Sequence, residues 1–292
     1  MDGNTNNRPL SYDSTKCILA KLNNQKRFEI NRRCPGIRAA ERATPMRIKI
    51  LEFGDHQVTV DGVNYKVTIH QDYPADIIPE KVKKANDEGG VSYDFDQYGM
   101  RDFTVDHFLT PGDVLLKKGD WDDKRAEKEE ERLVQMELLK ARMEATRAQR
   151  IQENPENPNL ALIGEDVPAN PYIFVIMFKK MDDELFPIVC KRSNTPFPYK
   201  KYIKFVKTDG WNTTTEFLEY NKKLHEAYKY LLHQLFAGRS DRVHVDTLII
   251  RRLDPIMVLR LPENVKFKIG RLIESGERAI GNRVETLKQF TY

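Results

Sequence analysis

The segment 199–207, YKKYIKFVK, sets Lys200, Lys201, Lys204 and Lys207 among Tyr199, Tyr202 and Phe205. That mixture neutralises phosphates and stacks bases. Further along, Arg251 and Arg252, with Arg260, Lys266, Lys268 and Arg271, extend the basic surface if they share its side. Lys200, Lys201, Tyr202, Lys204, Lys207, Arg251 and Arg252 are therefore the candidate nucleic-acid contacts. In a strand, however, Lys200 and Lys204 face one way and Lys201 and Lys207 the other. The competing reading makes one face solvated and the other core.

A second charged stretch lies at the start. Residues 1–50 carry eleven Lys/Arg against four acids, net +7; residues 51–123 are net −9 and the remainder net +6. Arg32, Arg33 and Arg38 are candidate partner-binding residues, for RNA or an acidic protein. Equally, they neutralise the acidic block that follows.

Other chemistry finds little support. Neither GxxxxGK[ST] nor GxGxxG occurs, and the six histidines show no metal-ligand spacing. His225 and His233, eight apart, read as helix-surface residues. The run 94–99, DFDQYG, opens like a calcium loop, but Val105 stands at its twelfth position, where a bidentate Glu is required. The pairs Asp94/Asp96 and Asp122/Asp123 would suit magnesium, although the latter fits a helix start better. Three widely spaced cysteines argue against a disulfide framework and a zinc site, and Cys190 reads as packing. No catalytic residue, cofactor or metal ligand is assigned.

These residues need elements to hold them. Lys16–Leu22, Arg27–Arg32 and Met46–Phe53 alternate like strands, and Asp61-Gly62 between β-branched runs predicts a hairpin. Residues 121–153 lack Gly and Pro and are rich in helix formers, predicting one long charged helix. Its sparse stripe of Leu133, Met136, Leu139 and Met143 is a candidate partner-binding or coiled-coil seam, or the thin contact of a solvated spacer. Residues 154–171, with four prolines, read as a linker.

Beyond the linker, Tyr172–Phe178, Leu185–Lys191 and Tyr199–Val206 read as strands. Thr213 with Glu216 suggests a capping box, opening a helix through Phe217, Tyr220, Leu224, Tyr228, Leu231 and Leu235 to Gly238. Val243–Ile250 and Ile256–Leu261 read as strands, and Phe267–Tyr292 as a glycine-broken helix. The fold class is α+β: a β-rich domain over 1–120, the helix at 121–153, the linker, and an α+β domain over 172–292 with an antiparallel sheet and packed helices.

No apolar run approaches the roughly 18 residues of a membrane span, and the polar start, Met1–Asn7, offers no signal segment. These features, with the cysteine usage, favour an intracellular protein, nuclear or cytoplasmic. Function then reads as a non-catalytic adaptor or subunit of an RNA-associated complex, binding RNA and protein partners through the basic surfaces and the long helix. One alternative is a nucleic-acid-processing enzyme with a dispersed metal-dependent site. Another is a structural protein that forms homo-oligomers through the helix.

Overall fold

The computed structural model describes residues 10–106, 108–117, 124–153, 171–251, 257–275 and 290–291. Three short helices come first. Ser11 and Asn23 cap α1 (Tyr12–Lys21) and α2 (Asn24–Arg33) by accepting the amide protons of Ser14 and Lys26, and α3 (Arg38–Ala43) follows. The expected strands at Lys16–Leu22 and Arg27–Arg32 are thus helical, because the capping side chains satisfy the first free amides. On α2, Phe28 is buried against Tyr65 and Phe236.

The hairpin forms as expected. β1 (Arg47–Gly54), β2 (Gln57–Val60) and β3 (Val63–Asp72) are antiparallel neighbours. Asp61 and Gly62 take positive φ at the β2–β3 turn, where glycine has no Cβ to clash. The Asp61 carboxylate also accepts from the Lys49 and Ile50 amides and from Asn24, tying the turn to β1 and α2.

After α4 (Glu80–Asp87) and β4 (Val114–Lys117) comes the long helix α5 (Arg125–Glu153). The chain resumes with α6 (Pro171–Arg192), β5 (Lys200–Asp209), β6 (Asn212–Glu219) and α7 (Leu224–Phe236). β7 (Val243–Arg251), β8 (Met257–Leu259), β9 (Phe267–Ser275) and β10 (Phe290–Thr291) complete the order.

The chain is mixed α/β with seven helices among the described residues and a large mixed sheet. Eight strands run in the order β10-β9-β7-β1-β2-β3-β5-β6, antiparallel from β1 to β6 and parallel from β1 to β10. β4 and β8 form a separate pair. The two-domain division does not describe this sheet, because β1 pairs with β7 and β3 with β5. Both early strands carry free backbone edges that only the later strands satisfy.

Three further expectations change. Tyr172–Phe178 and Leu185–Lys191 lie within α6, since a short apolar run looks alike in a buried strand and a packed helix. Residues 212–219 are strand rather than helix, and the helix proper begins at Leu224. Residues 267–275 are strand, where Phe267 and Ile269 are buried beside β7. The linker expected at 154–171 lies, apart from Pro171, outside the described residues.

The core fills one side of the sheet. Val63, Tyr65, Val67, Ile69 and Ile203 face α2 and α7, whose Tyr228 is buried and donates to the Gln57 carbonyl at 2.9 Å. Beneath α7, Phe53, Phe236 and Phe267 meet edge to face.

Candidate functional site

Alternation sends every second side chain of β3, β5 and β6 to the face opposite the core. There the register aligns His70 with Tyr202 and Glu219, Thr68 with Lys204 and Phe217, and Lys66 with Val206 and Thr215. Except for Thr68, whose hydroxyl donates to the Gly89 carbonyl, these side chains are exposed or half-buried.

Phe217 is the hub of this face and is 50% exposed. The His70 ring lies 5.2 Å from it, edge on, and the Tyr202 ring 6.4 Å. The Lys204 ammonium sits 5.8 Å from the Phe217 centroid, a cation–π distance. Burial, and then Lys204, lower the His70 pKa, and its Nδ1 is buried without a hydrogen-bond partner. A neutral imidazole with an unused nitrogen thus flanks an open aromatic ring. Lys66, Lys200 and Lys204 enter no ion pair among the described residues, so their charge is available for phosphate.

Of the sequence candidates, Lys200, Tyr202 and Lys204 belong to this face. Lys201 and Lys207 turn to the core side, as strand alternation requires. Lys207 pairs with Glu29 at 3.3 Å. Lys201 lies 4.8 and 5.0 Å from the Phe95 and Phe197 ring centroids and donates to the Asp96 carbonyl. Arg251 pairs with Glu52 on β1, and Arg252 lies outside the described residues.

Desolvation lowers the Lys201 pKa to about 8 from 10.5. Between those values the unfolded chain binds the extra proton, so stability rises with pH through the window. We expect chemical denaturation at stepped pH to show this rise in the wild type and a smaller one in Lys201→Met.

Of the partner-binding candidates, the α5 stripe makes a contact within the chain, the second of its two readings. On α5, Leu133 packs on Leu185 and Ile188 of α6 beside half-buried Met136, and Met143 packs on Met177 and Phe178. Ion pairs also bind the two helices, among them Arg132–Glu184, Lys140–Asp182, Lys191–Glu130 and Arg192–Glu137. The stripe is therefore occupied within the chain, and only Leu139 of the four remains exposed. Arg32 pairs with Glu216 at 2.5 Å, Arg38 donates to the Asn31 carbonyl, and Arg33 is exposed.

The acidic run at 94–99 is structural. Asp94 is 3% exposed and accepts from the Tyr220 hydroxyl at 2.6 Å and the Leu224 amide at 2.9 Å, closing the N-terminus of α7. Asp96 Oδ1 accepts from the amides of Tyr98 and Met100. Asp122 and Asp123 lie outside the described residues. His233 is exposed as expected, whereas His225 is buried.

His70, Lys66 and Phe217 escaped the sequence reading. Phe217 coincides with the helical spacing that truly begins at Leu224. The available signal was Asp209-Gly210 followed by the β-branched run Thr213–Thr215, a hairpin pattern.

No helix among the described residues is long and apolar enough to cross a membrane. No curated protein and no solved structure matches the chain. Residues 223–290, the stretch that takes in α7, β7, β8 and β9, are similar to a family described as a domain of unknown function (DUF3557).

Proposed function

We propose that the chain is a non-catalytic, RNA-binding adaptor of an intracellular complex, with the open face of β3, β5 and β6 as its RNA surface. The observation that carries this reading is Phe217, half exposed amid His70 and Tyr202, with Lys66, Lys200 and Lys204, which enter no ion pair among the described residues, on the same face. Sequence-tolerant binding of single strands needs aromatic platforms between phosphate-neutralising cations. Antiparallel sheets that bear aromatics on an open face are a recurrent solution for single-stranded RNA. The protein partner of the adaptor falls to the edge strand β6, all eight of whose residues are exposed, and to fully exposed Trp211 at its turn. An unpaired edge is a template for strand addition.

The test is titration of a labelled single-stranded RNA at two salt concentrations. Affinity should fall steeply with salt, Phe217→Ala should weaken binding about tenfold or more, and Lys204→Glu should flatten the salt dependence. Lys201→Gln, on the other face, should bind like the wild type. Affinity that is indifferent to Phe217 and Lys204 would refute the assignment.

A further inference from the structure

The opposite end of the sheet holds an imbalance of buried charge. Glu41 on α3 is fully buried, and two arginines converge on it: Arg27 Nε at 3.1 Å and Arg239 Nη2 at 3.0 Å, with side chains 3% and 4% exposed. Arg27 also donates to the carbonyls of Thr44 and Pro45. Burial lowers the Arg239 pKa against the pull of Glu41, and the charges of Arg27 and nearby Arg42 lower it further. Two buried guanidinium groups therefore share one carboxylate, with the half-buried Arg42 beside them. The Nε atoms of Arg42 and Arg239 are both buried without a hydrogen-bond partner. A buried donor left unpaired is costly, and an anion brought to this wall would supply charge and acceptors.

Arg239 opens onto a cleft of about 750 Å³ where β7 and β9 begin. Parallel pairing puts His244 beside Lys268, and the Val243 amide donates to the Lys266 carbonyl. Lys266, Lys268 and His244 are exposed, and neither lysine has a carboxylate partner among the described residues. Arg242 adds a cation and Asp241 a single acid. The lining aromatic, Phe236, is 2% exposed, so the cleft offers charge and no ring for stacking. Its size matches small-molecule sites of about 300–1,000 Å³, far larger than one phosphate requires.

We infer that this cleft binds a compact anion bearing two or more phosphate groups, held by Lys266, Lys268 and the buried guanidinium of Arg239. The assignment is independent of the RNA reading, which uses other residues on other strands. Free polyphosphates and the headgroups of phosphorylated lipids share this chemistry.

Calorimetry with tripolyphosphate, inositol hexakisphosphate and orthophosphate provides the test, repeated on a protein carrying both Lys266→Glu and Lys268→Glu. Both polyphosphates should bind at low salt, orthophosphate about tenfold or more weakly, and the double variant should lose about tenfold or more in affinity. Vesicles containing a bisphosphorylated phosphoinositide separate the sources: lysine-dependent capture makes the ligand a headgroup, and its failure beside tight polyphosphate binding makes it soluble. Because both lysines are exposed, the variant should keep its melting temperature and its RNA affinity. Absent polyphosphate binding, or binding unchanged in the double variant, overturns the inference. So does loss of RNA affinity in that variant, which would make the cleft a nucleic-acid site.

Discussion

Glu41→Ala should lower the unfolding free energy by about 3–5 kcal/mol, the usual cost of removing one partner from a buried ion pair. Arg27 and Arg239 both depend on that carboxylate, and neither reaches bulk water. Without it, two guanidinium groups stay buried with backbone carbonyls as their remaining acceptors. Glu41→Gln keeps an acceptor oxygen and the volume, so its loss should be smaller. Urea denaturation distinguishes the two if the slope is unchanged and only the midpoint moves. The cluster joins α2, α3 and the segment after α7, so its loss should also release the N-terminal helices from the sheet. Amide exchange would report that as lost protection in α2 and α3.

Asp94→Ala should cost about 2–4 kcal/mol, because it removes charge-assisted hydrogen bonds at a buried helix N-terminus. Asp94 receives the Leu224 amide, one of the α7 donors that lack an intrahelical partner. It also takes the Tyr220 hydroxyl proton, and burial together with that carboxylate holds the Tyr220 pKa far above its ordinary value. Asp94→Asn retains an acceptor without the charge and should fall between. Tyr220→Phe removes only one of the two contacts and should cost least. Should Asp94→Ala prove neutral in thermal and urea unfolding, the cap is not what seats α7 on the sheet.

The strands nearest the core were legible in the sequence. Met46–Phe53, the Asp61-Gly62 hairpin, Tyr199–Val206 and Val243–Ile250 announce themselves through period-two alternation and turn chemistry, which act locally. The long charged segment was likewise readable as helix, and its span, Arg125–Glu153, falls inside the expected one. What α5 packs against was not readable. Its stripe meets α6, whose apolar runs around the acidic segment 182–184 mimic a strand–turn–strand and whose Pro187 argues against a helix. The pairing of β1 with β7, nearly two hundred residues apart, is a long-range fact that no local pattern encodes.

The candidate site was half legible for the same reason. The cluster of Lys200, Tyr202 and Lys204 is visible as composition, and alternation separates these residues from Lys201 and Lys207. His70 and Phe217 come from neighbouring strands, so only the register brings them to Tyr202. Phe217 was further disguised by the helical spacing that continues into α7. The cleft near Lys266 depends on a carboxylate from α3 and an arginine beyond α7, a convergence that requires the folded chain.

RNA carrying a photoreactive base, cross-linked to the intact protein and mapped by mass spectrometry, asks the central question most directly. The adducts should fall on Phe217, Tyr202 and neighbouring residues of 200–219, with β3 as the second cluster, and Phe217→Ala should deplete them. Adducts confined to other strands or helices, with none on β5 or β6, would contradict the assignment of the open sheet face.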